Sequence, residues 1–77
     1  MTKDRIMAHK QYTDGKGNVR EVLALGPQYR LYDGQAEDDN LRYKVLAKRR
    51  GPYRLGEERN STRASFAAWA KCEFKLG

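Results

Sequence analysis

The side chains best suited to chemistry in this sequence are the cations between positions 42 and 63. Arg42, Lys44, Lys48, Arg49, Arg50, Arg54, Arg59 and Arg63 stand against only Glu57 and Glu58. Six of the eight are arginines, whose planar fork pairs with phosphate and base edges in a way an ammonium does not. Tyr43 and Tyr53 interleave with them. Rings set among guanidiniums suit single-stranded nucleic acid, because the ring stacks on an unpaired base while the cations hold the backbone. Parity along the strand sends Tyr43 to an apolar face with Leu41 and Val45, which leaves Tyr53 as the stacking candidate. The candidate nucleic-acid-binding set is therefore Arg42, Lys44, Lys48, Arg49, Arg50, Tyr53, Arg54, Arg59 and Arg63, with its centre at the tip, 49–54, around Gly51-Pro52. The plainer reading is a solvated basic face balanced by the acidic loop at 33–39. A basic patch is only an electrostatic footprint, and no RRM, KH, zinc-finger or helix-turn-helix signature accompanies it.

Other chemistries find less support. His9 and Cys72 are the single histidine and cysteine, too few soft ligands for a structural zinc site in one chain. Glu37, Asp38 and Asp39 are adjacent acids without the spaced oxygen ligands and terminal glutamate of a calcium loop. Cys72 falls late in a predicted helix, away from the positive helix end that would lower a thiol pKa; it reads as a small buried hydrophobe. His9 reads as a solvated mid-strand position without the partners a catalytic base needs. Gly15-Lys16-Gly17 is too short for a phosphate-binding loop. The expectation is a non-enzymatic protein with no cofactor and no metal.

Length and charge set the frame. Seventy-seven residues make one small domain, 1–77, with 1–4 and 75–77 expected to fray. Such a chain buries little of its surface, so its core is marginal and self-association is an open option. The net charge of +6 and pI near 9.7 favour acidic partners. The charge is also segregated. Residues 19–40 carry two basic and five acidic side chains, whereas 41–63 carry eight basic and two acidic. A lone cysteine and the lack of an apolar run long enough to span a membrane point to a reducing, cytoplasmic setting.

The elements that must position these residues follow from periodicity. Ile6, Ala8 and Tyr12 share a parity, predicting a strand over 5–12; Val19, Leu23 and Leu25 predict a second over 19–25. The Gly-rich segment between them predicts a hairpin. Leu41, Tyr43, Val45 and Ala47 alternate with Arg42, Lys44 and Lys48, which predicts the longest strand, 41–48, with one apolar and one wet face. Val22-Leu23-Ala24-Leu25-Gly26-Pro27 and Tyr29-Arg30-Leu31 are echoed by Val45-Leu46-Ala47, Gly51-Pro52 and Tyr53-Arg54-Leu55. The echo predicts two similar strand-turn-strand units, adding strands at 29–33 and 53–55, although Gly-Pro is also a generic breaker. Asn60, Ser61 and Thr62 are acceptable N-caps, and Phe66, Trp69, Ala70 and Phe74 fall at helical spacing. A helix over 62–73 therefore docks its aromatic stripe on the sheet. Arg63 in its first turn opposes the helix dipole, so something other than helix propensity favours it there, for which a contact with Glu57 or Glu58 would suffice. The fold class is α+β, an antiparallel β-meander of four to five strands with one C-terminal helix on one face.

Two partner classes suit this design. One is DNA or RNA, held through phosphates by the basic strand and its Gly-Pro turn. The alternative is a protein-interaction module, such as a small phage or mobile-element regulator docking on a larger host assembly, supported by a loop rich in the Tyr and Arg that dominate interfaces. Pairing of the acidic 33–39 loop with the basic stretch of a second copy would give a homodimer, and no membrane contact is expected.

Overall fold

Alternation of apolar and polar side chains gives this chain one sheet with a single dry face, and a short helix closes it. The computed structural model describes residues 1–49 and 53–75. Strands β1 (Gln11–Thr13), β2 (Val19–Leu25), β3 (Asn40–Ala47) and β4 (Glu58–Thr62) precede helix α1 (Arg63–Trp69), and β5 (Cys72–Glu73) follows it. All pairings are antiparallel, in the order β4-β3-β2-β1-β5. The meander and the C-terminal helix agree with the fold class expected from the sequence.

The dry face follows β3 parity: Leu41, Tyr43 and Val45 are buried. On β2 the expected face is displaced, because Val19 and Val22 are buried whereas Leu23 and Leu25 are only partly covered. The register explains this. Val22 opposes Tyr43 but Ala24 opposes Arg42, leaving Leu23 as an extra residue. Such a bulge inverts the parity that follows it. A second irregularity, between Val19 and Arg20, leaves Leu46 extra on β3.

Phe66 is the keystone of the helix. Its ring meets Tyr12 edge-on at 5.7 Å, Tyr43 at 5.6 Å and Trp69 at 5.2 Å, and it is buried with Ala67 and Ala70. Of the three expected caps, Thr62 is used: its side chain accepts from the Ser65 N–H at 3.1 Å. Tyr12 is itself fully buried, and its hydroxyl donates to Arg5 O at 3.0 Å while accepting from Met7 N–H at 2.8 Å. That bridge holds the N-terminal segment, including the 3-10 turn Lys3–Arg5 and buried Ile6.

Several expected boundaries move, each for a local reason. The first strand begins at Gln11 rather than near residue 5, because His9 has a left-handed φ of 68° and both His9 and Lys10 bond to Val22. His9 is thus exposed in an irregular turn, not mid-strand. Residues 29–33 are not a strand: β2 and β3 pair directly with each other, and the 26–39 connection folds back on itself through Gln35, Glu37 and Asn40 instead of pairing along the outer edge of β4. Residues 53–55 are not a strand either. A tight turn from Arg54 to Glu57, with Gly56 at φ 81°, leads directly into β4 at Glu58. The two sequence echoes therefore do not build matching strands, and Arg50-Gly51-Pro52 lie outside the described residues. The helix stops at Trp69 because Lys71 N–H bonds Thr13 O and Phe74 N–H bonds Gln11 O. The free edge of β1 outcompetes helix continuation. Cys72 consequently lies on an edge strand and is exposed rather than buried.

If Phe66 organises the core, Phe66→Ala should cost about 3–5 kcal/mol. Urea denaturation should show that loss, together with collapse of the near-ultraviolet aromatic dichroism.

Candidate functional site

Strand order decides which cations meet. In an antiparallel meander the β1–β2 turn and the β3–β4 loop emerge at the same end of the sheet, and the entry to β5 joins them. Lys16, Lys48, Arg49, Arg54 and Lys71 therefore gather at one end. The opposite end carries the 26–39 connection with Asp33, Glu37, Asp38 and Asp39.

At the basic end the β1–β2 turn is the centre. The Asp14 carboxylate accepts from Lys16 N–H at 2.8 Å, from Asn18 N–H at 3.4 Å and from the Asn18 amide at 2.8 Å. Burial pushes the Asp14 carboxyl up, but these hydrogen bonds together outweigh it and hold it below its ordinary value. Asn18 Oδ1 in turn accepts from Arg49 N–H at 3.0 Å, tying the β3–β4 loop to the turn. Glycines 15 and 17 have φ of 78° and 92°, and a Cβ on them would fall 2.9 Å from Lys71 Cδ and 3.3 Å from Arg49 Cβ. Lys71 and Arg49 thus flank the turn that bears Lys16. None of these three side chains has an ion-pair partner among the described residues.

The other expected site residues are distributed elsewhere. Arg42 lies on the wet face and bonds Glu58 at 3.2 Å and Asn60 at 2.8 Å. Lys44 stands in register between Glu21 and Glu58 on the same face. Lys48 and Arg54 are exposed. Arg59 opposes Tyr43 on the helix-covered face, where it pairs with Glu57 at 3.8 Å and lies 4.7 Å over the Tyr53 ring. Arg63 is internal: its guanidinium donates to Ile6 O at 2.7 and 3.0 Å and faces Asp39 at 3.7 Å, with 18% of the side chain exposed. The partner expected for it in Glu57 or Glu58 is instead Asp39 and a main-chain carbonyl. Arg42, Arg59 and Arg63 thus have partners within the fold, and Arg50 lies outside the described residues. Lys16 and Lys71 were missed because they are far from the basic stretch in sequence; only the hairpin and the β1–β5 pairing bring them to Arg49.

Tyr53 belongs to an unexpected arrangement. Arg20 opposes Tyr12 and Val45, which puts it on the dry face. Its guanidinium lies 4.1 Å from the Trp69 ring centroid, 4.9 Å from Tyr43 and 5.4 Å from Tyr53. Arg20 and Arg59 therefore both lie over the Tyr53 ring, and among the described residues no carboxylate pairs with Arg20. The π faces supply the attraction that an anion otherwise would. Burial raises the Tyr43 phenol pKa, against the opposing effect of Arg20. The chemical signal was Arg20 among residues of a core strand, but the bulges hid which face it takes.

At the acidic end Asp39 pairs with Lys3 at 3.1 Å as well as with Arg63. That hydrogen bond and charge hold the Lys3 ammonium above its ordinary pKa. Buried Asn40 is satisfied by Gln35 Nε2 at 2.9 Å and Glu37 O at 3.2 Å, which folds the connection back on itself. Among the described residues no cluster of His, Cys, Asp or Glu is arranged to hold a metal ion, and no helix is long and apolar enough to cross a membrane.

Two measurements check this geometry. Arg20→Met should cost about 1–2 kcal/mol, the scale of desolvated cation–π contact, and shift the emission of Trp69, the single tryptophan. Asp14 has a lower pKa folded than unfolded, so its stabilisation is complete above the unfolded value of about 3.9 and is lost as pH falls through the folded value. The stability gap between wild type and Asp14→Ala should therefore be present at pH 7 and shrink below pH 4. Compared with protein-family models, curated proteins and solved structures, the chain matches none of them.

Proposed function

We propose that this protein binds the phosphate backbone of nucleic acid through its basic end, with Lys16, Arg49 and Lys71 as the central contacts. Lys48 and Arg54 extend the surface at the same end. The observation that carries this reading is the convergence of three cations from distant parts of the chain on one turn, without ion-pair partners among the described residues. Cations already neutralised within a fold gain little from a phosphate, whereas unpaired, solvated ones release counterions on binding. The turn is held by Asp14 and Asn18, so the cations are mounted on a braced element. The emphasis on the 49–54 tip is retained in Arg49 and Arg54. Arg42, Arg59 and Arg63, with their internal partners, contribute to the field rather than to contacts.

A second reading, a protein-interaction module, draws support from exposed apolar side chains. Leu31, Tyr32 and Leu55 are 54%, 66% and 63% exposed, and Leu31 and Leu55 occupy equivalent places in the two sequence echoes.

Fluorescence anisotropy with single- and double-stranded DNA and RNA oligomers, titrated across salt, tests the first reading. Log affinity should fall linearly with log salt. Combining Lys16→Ala, Arg49→Ala and Lys71→Ala should flatten that slope by about 2–3, one unit for each lost phosphate contact. Arg63→Ala should lower stability while leaving the slope unchanged. Flat titrations for all four ligands at low salt would leave the protein-interaction reading in place of this one.

A further inference from the structure

Among the described residues the sheet has a free edge at β4, which pairs there with β3 alone. Val45 N–H donates to Glu57 O at 2.9 Å at one end of that pair, and Arg63 N–H donates to Asp39 O at 2.8 Å at the other. Antiparallel bonding alternates along a strand, so positions 57, 59, 61 and 63 turn their backbone groups toward β3. Glu58 and Asn60 turn theirs outward. Among the described residues the main-chain N–H and C=O of these two find no other partner. Open strand edges of this kind accept a further strand.

Beside the edge lies an open groove of about 330 Å³, lined by Arg30, Leu31, Arg42, Glu58, Arg59 and Asn60. Two of its arginines, Arg30 and Arg42, stand with one carboxylate, Glu58, which is already paired with Arg42; the Arg59 guanidinium turns to the other face, over Tyr53. Asn60 Nδ2 donates to Arg30 O at 2.9 Å and fixes the loop that forms the far wall. The Arg30 side chain itself has no ion-pair partner among the described residues. Leu31 adds an exposed apolar contact at the rim.

We propose that the β4 edge and this groove bind an extended acidic peptide segment of a partner protein. The segment adds as a sixth strand, its main chain bonding to Glu58 and Asn60, its carboxylates facing Arg30, and an aliphatic side chain resting on Leu31. Main-chain pairing supplies affinity in strand addition and alternate side chains supply specificity. Here the excess positive charge of the groove makes acidic side chains the complement. A second copy of this chain is a poorer occupant, since it would bring Arg30 and Arg42 of both molecules to one edge at a net charge of +6 each. A nucleic-acid strand offers nothing to match the alternating donors and acceptors of a strand edge. The inference names a partner for the protein-interaction reading and is independent of nucleic-acid binding at the basic end.

The test is an NMR titration with a capped ten-residue peptide alternating glutamate and valine, alongside the same peptide with glutamine in place of glutamate. The acidic peptide should shift the Glu58 and Asn60 amides and bind at least tenfold more tightly than the glutamine peptide. Arg30→Glu should remove that preference without lowering the melting temperature, because among the described residues the Arg30 guanidinium makes no hydrogen bond or ion pair. Equal affinity for both peptides, failure of the acidic peptide to bind, or shifts confined to residues away from β4 would overturn the proposal. So would sedimentation showing a homodimer that protects the β4 amides.

Discussion

The burial of the Phe66 ring is the interaction on which the other arrangements rest. A seven-residue helix is far too short to persist alone, so α1 exists because Phe66 inserts between Tyr12 and Tyr43. Tyr12 in turn carries the N-terminal segment through its hydroxyl, and Arg63 ties that segment back to the start of the helix through Ile6 O. Trp69, packed on Phe66, covers Arg20. One aromatic contact thereby couples the helix, the edge of the sheet, the N-terminal segment and the cation–π stack. In a domain with so small a core, these shared rings link features that a larger protein would hold separately.

A second constraint is topological. Charge is segregated along the chain, and the meander converts that linear separation into a separation of ends. Successive loops alternate between the two ends of an antiparallel sheet, so the acidic 26–39 connection and the basic β3–β4 loop are forced apart. The β1–β2 turn and the β5 entry add Lys16 and Lys71 to the basic end. The two ends of the sheet are therefore opposite in charge. The internal ion pairs have a different role. Arg63, through Ile6 O, holds the N-terminal segment, whereas the exposed Arg42–Glu58 and Arg59–Glu57 pairs add little to stability singly.

Much of the fold was legible because β3 alternates cleanly and the helix carries its aromatics at helical spacing. The errors share a cause: period and propensity are local, whereas pairing is not. Residues 29–33 have the composition of a strand, but Gln35 and Asn40 fold their connection back on itself instead of along the β4 edge. Residues 58–62, polar throughout, become β4 because β3 offers them one. The helix pattern continues past Trp69, yet main-chain bonds from Lys71 and Phe74 to β1 draw the chain into a strand and expose Cys72. A bulge at Leu23 changes which β2 residues face the core, and no side-chain pattern announces it.

The basic composition, the dry face of β3, the aromatic stripe of α1 and the turn chemistry at Asp14 were determined by the sequence itself, since each depends on residues within a few positions of one another. Tertiary structure alone decided which cations are spent on internal partners and which remain available. Arg63 and Arg59 look like members of a binding patch in sequence, but a carbonyl and an acidic loop from distant elements claim Arg63, and the Tyr53 ring of the adjoining loop claims Arg59. Lys16 and Lys71 look isolated until strand pairing sets them beside Arg49. A charge is available only relative to what folds against it, and that is a property of pairing between segments far apart in the chain.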